Sequence, residues 1–183
     1  MKRNSKVSWV QVCWVFIALI LCAGGIIAFF NRDHKLVDES KILGVIMFMS
    51  GALNLLVCHK KSHQIHGSHW LMADGLCAVM LSVFPLFNEM VVPNMVPFFF
   101  CVWELFSGIL KILDTVELKE AKIHCWKGFA ILGFIELISG ATSLLKPFDD
   151  LVGIHEVISM ILFIQSAGFL LKAAMFKYLF HRK

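Results

Sequence analysis

Six long apolar stretches constrain the fold of this chain more than any other feature of its sequence. They cover residues 7–30, 42–58, 70–87, 91–113, 125–145 and 151–171. About 20 apolar residues suffice for a helix to cross the hydrocarbon core of a bilayer. The chain is 58% hydrophobic and 16% charged, whereas about a quarter of the residues in a water-soluble domain are charged. The sequence therefore predicts a multi-pass membrane protein.

The apolar stretches are expected to be helices, which gives an all-α fold. A helix satisfies its own backbone hydrogen bonds in lipid, whereas strands must close into a barrel. Barrel strands alternate apolar and polar residues, and these stretches are continuously apolar. The first stretch is also too long for the apolar region of a secretory signal, so it is predicted to remain as a helix. We predict one transmembrane domain over residues 1–183, a six-helix bundle in which consecutive spans form three helical hairpins.

Lysine and arginine are unevenly distributed over the segments between the spans. Eleven lie in the N-terminal segment, the loops around 59–69 and 114–127, and the C-terminal tail, and four lie in the other three loops. By the positive-inside rule, both termini are predicted to be cytoplasmic. The basic surface that results favours contact with anionic lipid head groups. The bilayer is therefore the expected partner, and nothing in the sequence supports binding to nucleic acid.

Small residues recur seven positions apart in every span, which puts them on one face of each helix. Such faces allow helix backbones to approach closely, either within the bundle or in a homo-oligomer, and the sequence does not distinguish the two uses. A small pair also precedes an apolar turn in the second, fourth and sixth spans, which indicates an internal repeat. These pairs are Ser50-Gly51, Ser107-Gly108 and Ala167-Gly168.

A recurring hairpin pattern carries a resemblance to a known family. A helix that begins with Trp is followed by a turn with Pro and Phe and then by a helix that contains a small-residue pair. The pattern occurs in Trp70 to Phe87 with Phe98 to Leu118, and in Trp126 to Phe148 with Gly153 to Lys172. In these segments, roughly two thirds of its length, the chain resembles the HdeD-like acid-resistance membrane proteins. The resemblance implies a bacterial inner-membrane (plasma-membrane) protein connected with acid stress. It implies no established enzymatic activity or ligand, and no family site residues to transfer.

Several charged residues lie within or at the edges of the spans. A charge near the bilayer centre costs on the order of 3 kcal/mol on insertion scales, so each one needs an explanation. Glu104 and Glu136 are the two midplane candidates, and both share a helix face with glycine. They could share a proton if they approach each other, or Lys111 could instead neutralise Glu104, Asp114 or Asp74. The candidate intramembrane polar cluster consists of Asp74, Glu104, Lys111, Asp114, Glu136 and Glu156.

Two interpretations of this cluster remain open. Intramembrane ionisable groups commonly serve proton or ion pathways, which favours a proton-responsive or ion-conducting site. Alternatively, the same side chains are paired or protonated and fix the helix packing through interhelical hydrogen bonds. A polar cavity that reaches at least one side of the membrane would favour transport, whereas a closed, dry bundle with internally paired carboxylates would favour the structural role.

Four histidines are concentrated in the loop between the second and third spans. At spacings of four, three and three residues they would lie near one side of a helix, where imidazoles could bind zinc or nickel or respond to pH. A solvated basic loop is the simpler interpretation, and Gly67 would interrupt a helix there. No metal site is therefore predicted, and the weak candidates are His59, His63, His66 and His69.

No catalytic or cofactor motif accompanies these features. The chain has no G-x-S-x-G, no H-E-x-x-H and no phosphate-binding glycine loop. The sequence predicts a non-enzymatic multi-pass membrane protein without a cofactor, with a role in acid or membrane stress. The alternative is a small proton-coupled transporter or channel that uses the midplane carboxylates.

Overall fold

The computed structural model describes residues 8–30, 36–87, 95–123, 126–145 and 153–179, apart from the side chains of residues 36–40, 62, 154 and 177. Within these ranges the chain is helical and has no strand, which confirms the all-α prediction. Six helices are long and apolar enough to cross a membrane, as expected for a multi-pass protein. The helices are α1 (Trp9–Phe30), α2 (Leu36–Lys61), α3 (Ser68–Leu86), α4 (Val96–Glu120), α5 (Trp126–Leu145), α6 (Ile154–Ala174) and the short α7 (Phe176–Leu179).

The helices differ in length from the apolar stretches at several ends. The fourth stretch ends at Leu113, but α4 continues to Glu120, because Thr115 and Leu118 keep one of its faces buried. Between α2 and α3 the chain forms a 3-10 turn and then passes through Gly67, whose φ of 69° is readily adopted only by glycine. The predicted span residues 7, 91–94, 125 and 151–152 lie outside the described part of the chain.

The helices pack closely in three antiparallel pairs: α2 with α3, α4 with α5, and α1 with α6. The closest pairs are thus shifted by one helix from the predicted hairpins, whose members touch more loosely. The shift closes the bundle, because the first and last spans become partners. At one end of the bundle α1, α3 and α5 begin and α2, α4 and α6 end. We call this end the basic end, because the lysines of residues 60, 61, 119 and 127 lie there.

Close approach of two backbones is common to the three pairs. In two of them, a Cβ added to a glycine would lie 2.7 or 2.9 Å from the facing carbonyl oxygen. In the third, a serine hydroxyl donates a 2.8 Å hydrogen bond to the equivalent carbonyl. The contacts join Gly51 to Gly75, Gly108 to Gly133 and Ser166 to Ala18. These positions are almost equally spaced along the chain, so the pairs are copies of one packing unit.

Candidate functional site

A buried polar network lies between α4, α5 and α6, and we call it the core cluster. Lys111 Nζ donates to Glu136 Oε2 at 2.6 Å and to Ser107 Oγ at 2.7 Å. Gln165 Nε2 donates to Glu104 Oε2 at 2.7 Å, and Gln165 Oε1 accepts from Lys111 Nζ at 3.4 Å. All five residues are at most 4% exposed. One ammonium group and two carboxyl groups therefore belong to a single network inside the bundle.

The spacing of residues on α4 and the glycine beside them assemble this cluster. Glu104, Ser107 and Lys111 follow one another at three- and four-residue steps, which places them on one face of the helix. Gly108 lies next to them and brings α5 close, since a Cβ at this position would be 2.6 Å from the backbone nitrogen of Leu137. That approach lets Glu136 reach Lys111.

Stability alone is a weak explanation for an ion pair at this depth. Lys111 and Glu136 have side chains that are 5% and 0% exposed. Removing two charges from water costs several kcal/mol per ion, and well-packed apolar residues are often at least as stabilising as a buried pair. One oxygen of each carboxyl group, Oε1 of Glu104 and of Glu136, also has no hydrogen-bond partner among the described residues. The cluster thus retains polar groups that packing does not require.

A second polar group, the lateral cluster, lies between α2, α3 and α6. Asn54 Nδ2 donates to Asp74 Oδ2 at 3.4 Å, and Lys172 Nζ lies 3.8 Å from the same oxygen. The three side chains are buried, but their contacts are longer than those of the core cluster. The lateral cluster is therefore the more loosely bonded of the two.

A small cavity separates the two clusters and extends toward the basic end. Its volume is about 20 Å³, which is enough for a water molecule and far too small for a typical organic ligand. Its polar walls are formed by members of both clusters and by the turn before α3. The lining residues are Trp14, Ile65, His66, Gly67, Trp70, Leu71, Asp74, Ser107, Leu110, Lys111, Asp114, Phe129, Lys172 and Leu179.

The charged residues singled out in the sequence fall in different places. Glu104, Lys111 and Glu136 meet in the core cluster, where Gln165 and Lys111 connect the two carboxyl groups. Lys111 pairs with Glu136 rather than with Glu104, Asp114 or Asp74. Asp74 belongs to the lateral cluster, and Asp114 lines the cavity next to Gly67. Glu156 lies in the first turn of α6, roughly 13 Å along the helix from Gln165.

Four residues of the two clusters were not among the candidates. Gln165 and Asn54 are uncharged, and Ser107 stands out in the sequence only as a small residue of the repeat. Lys172 follows the end of the sixth apolar stretch, but α6 continues to Ala174 and buries it to 6% exposure. A search for every polar side chain on a glycine-bearing face would have found Ser107 and Asn54. Gln165 could have been found as an amide in the middle of an apolar span.

The four loop histidines do not share one side of a helix, so this part of the metal hypothesis is wrong. The helix ends at Lys61, and the histidines are distributed over the end of α2, a 3-10 turn, the turn at Gly67 and the start of α3. Among the described residues, no group of three or more histidine, cysteine, aspartate or glutamate side chains could bind a metal ion. His69 Nε2 instead lies 3.2 Å from Glu117 Oε2, to which Trp70 Nε1 also donates.

Comparison with known proteins identifies a repeat family. No curated protein and no solved structure matches the chain. A family profile described as a short repeat of unknown function (DUF308) matches twice, over residues 16–87 and 73–145. The first match runs from α1 through α3 and the second from α3 through α5. In the two matches, the Gly51–Gly75 contact and the Gly108–Gly133 contact occupy equivalent positions. Because the two matches together cover well over half of its length, this chain belongs to the DUF308 short-repeat family.

Proposed function

We propose that this chain is a non-enzymatic protein of the bacterial inner membrane, similar to the HdeD-like proteins, that acts in the response to acid or membrane stress through proton exchange at the core cluster. The observation that carries the proposal is the 2.6 Å contact between Lys111 and Glu136 inside the membrane-spanning region, connected to Glu104 through Gln165. Ionisable groups at such depth are expensive and commonly functional. The matched repeat family includes HdeD, which adds support for the stress role.

The proposed orientation has the basic end and both termini in the cytoplasm. Lysine ammonium groups lie over tryptophan rings at this end, with Lys60 5.3 Å from the centre of Trp9 and Lys119 5.4 Å from that of Trp126. Tryptophan and lysine are typical anchors at the head-group level of a membrane. The contacts support an interface at this depth, and the excess of lysine and arginine supports its cytoplasmic side.

Proton-coupled transport is the second candidate function. The observation that favours it is the cavity, whose lining includes Lys111 of the core cluster and the turn at Ile65–Gly67 near the basic end. Transport needs access to the cluster from both sides of the membrane, whereas a proton-responsive protein needs access from one side. A net proton flux across a sealed bilayer therefore separates the two candidates.

Conservative substitution of the two buried carboxyl groups tests the proposed function. Glu104→Gln and Glu136→Gln retain size and hydrogen-bonding capacity but cannot exchange a proton, and Glu120→Gln alters an exposed acid at the end of α4 as a matched control. Survival of bacteria that depend on this protein in acid should fall with the first two variants and stay unchanged with the control. Unchanged survival with both buried variants, each shown to be folded by thermal unfolding, would contradict the proposal.

The same variants in liposomes that contain a pH-sensitive dye test the alternative. Proton flux in the unaltered protein, lost with Glu136→Gln and kept with Glu120→Gln, would favour the transporter or channel. An absence of flux, together with lost acid survival, would favour the proton-responsive protein.

A further inference from the structure

The cavity lies between the core cluster and the basic end of the bundle. Its end near the basic surface is formed by the turn at Ile65–Gly67 and by Leu179 of α7, where His66 N donates a 2.9 Å hydrogen bond to the carbonyl oxygen of Leu179. Its deep end is formed by Ser107 and Lys111. The cavity therefore extends from the turn at Ile65–Gly67, near the basic end, to the ammonium group of Lys111 in the core cluster.

Three polar atoms of residues that line the cavity have no partner among the described residues. They are a donor, Trp14 Nε1, and two acceptors, Asp74 Oδ1 and Asp114 Oδ1. Trp14 and Asp74 are 1% and 5% exposed. Buried polar groups nearly always have hydrogen-bond partners, and ordered water supplies many of those that the protein does not.

The chemistry of the walls selects water over an ion. Both signs of charge are present, since Lys111 and Lys172 contribute ammonium groups and Asp74 and Asp114 contribute carboxyl groups. A small cation would be repelled by the first pair and an anion by the second, whereas water donates to carboxylates and accepts from ammonium and indole N–H groups. About 20 Å³ also matches one water molecule, which needs roughly 10–15 Å³ by this measure.

On the side of the core cluster away from the basic end, the nearest buried side chains on α4 and α6 are apolar, and the buried polar groups are uncharged hydroxyls, Ser139 among them. Phe100 and Cys101 lie one turn from Glu104 on α4, and Ile161 lies one turn from Gln165 on α6. These side chains, together with Ile158, are at most 1% exposed. Isolated hydroxyl groups offer water fewer partners than the two ammonium and two carboxyl groups that line the cavity. The two directions out of the core cluster are thus chemically different.

We propose that the cavity is a water-binding site that connects the core cluster with the aqueous phase at the basic end only. This inference rests on the proposed function and adds the route by which protons reach the cluster. The bound water accepts from Lys111 or Trp14 and donates to Asp74 or Asp114, so that a proton can pass between the carboxyl groups and the ammonium group. One-sided access makes the cluster a detector of proton activity on that side rather than a pathway across the membrane.

Hydroxyl-radical labelling by water radiolysis tests the site in the unaltered full-length protein in lipid nanodiscs. Radicals form at bound water and modify the side chains next to it. The chain offers two matched comparisons of buried aromatic residues, each at most 1% exposed. Trp14 and Phe129 line the cavity, whereas Phe100 and Trp103, whose Nε1 also has no partner among the described residues, do not. We expect Trp14 and Phe129 to be modified several-fold faster than their counterparts. Equal rates within both comparisons would overturn the proposal.

The labelling result is independent of the acid-survival result. If Trp14 and Phe129 are protected while Glu136→Gln still abolishes acid survival, the water site is overturned and the proposed function stands. If Trp14 and Phe129 are labelled and acid survival does not depend on Glu104 or Glu136, the water site is supported and the proposed function is overturned.

Discussion

The helix pairs α2–α3 and α4–α5 share one backbone contact but bury different side chains beside it. In each pair a glycine of the first helix faces a glycine carbonyl of the second. In both pairs, three buried residues occupy the same sequence positions relative to the glycine of the first helix. They lie four residues before it, one residue before it and three residues after it. They are Met47, Ser50 and Asn54 on α2, and Glu104, Ser107 and Lys111 on α4. The packing is thus common to both pairs, whereas at these three positions only α4 carries ionisable side chains.

The third pair extends the comparison. Measured from Ser166, the corresponding positions on α6 are occupied by Leu162, Gln165 and Phe169, all at most 2% exposed. At these three positions α6 contributes an amide and no charge, and that amide connects Lys111 with Glu104. The same packing geometry therefore occurs three times in the bundle. At the three compared positions, only α4 has ionisable side chains.

Removing the ammonium group from the α4 copy should have the largest effect on stability. Lys111→Met leaves Glu136 buried without a cation, so we expect the free energy of unfolding to fall by about 3–5 kcal/mol. SDS titration in mixed micelles measures this change. The double variant Lys111→Met, Glu136→Leu should recover most of the loss, because the uncompensated charge is then absent. A double variant as unstable as the single one would show that the charge is not the cause.

Adding a methyl group at the common glycine contact should have a smaller effect that is similar in both pairs. Gly51→Ala and Gly108→Ala each force a Cβ against backbone atoms, at 2.7 Å from Gly75 O and 2.6 Å from Leu137 N. We expect each to lower the free energy of unfolding by about 1–3 kcal/mol. Gly128→Ala is the control, since its Cβ would meet only side-chain atoms of Leu171 at 3.5 Å. A large loss at one contact and none at the other would disprove the shared packing unit.

The smallest change in the free energy of unfolding is expected for substitution of Asn54, the buried amide of α2. Asn54→Leu removes a 3.4 Å hydrogen bond to Asp74, which still has Lys172 at 3.8 Å. Interhelical hydrogen bonds of this kind contribute about 0.6 kcal/mol on average. The same SDS titration should therefore detect a loss well below that of Lys111→Met. An equal loss would mean that the two copies depend equally on their polar groups, contrary to the comparison.

The sequence predicted the helices better than their partners. Spans are recognisable because continuous apolar character is what the bilayer requires of a helix. Pairing is not, because a small-residue face fits any other small-residue face, and only the three-dimensional arrangement reveals that α1 meets α6. The glycines of the common contact pack against the chain's own helices, and a homo-oligomer through small-residue faces stays a prediction.

The candidate site was accessible to sequence reasoning to the extent that it is charged. Glu104, Lys111 and Glu136 stand out because ions are rare in apolar runs. Gln165 and Ser107, which complete the network, have side chains that cost less to bury and attract less notice. Lys111 pairs with Glu136 because α5 approaches α4 closely at Gly108. The spacing of residues along one helix cannot reveal this contact between two helices.

Pairing of α1 with α6 also determines the order in which the protein can be assembled. The other two close pairs consist of neighbours in the chain and can form as soon as their second helix is made. In contrast, α1 must wait for α6, since the Ala18 carbonyl accepts its hydrogen bond from Ser166. Until α6 is synthesised, the bundle is an open structure in which Glu104 lacks its amide partner. Insertion of α6 is therefore the step at which the core cluster is completed.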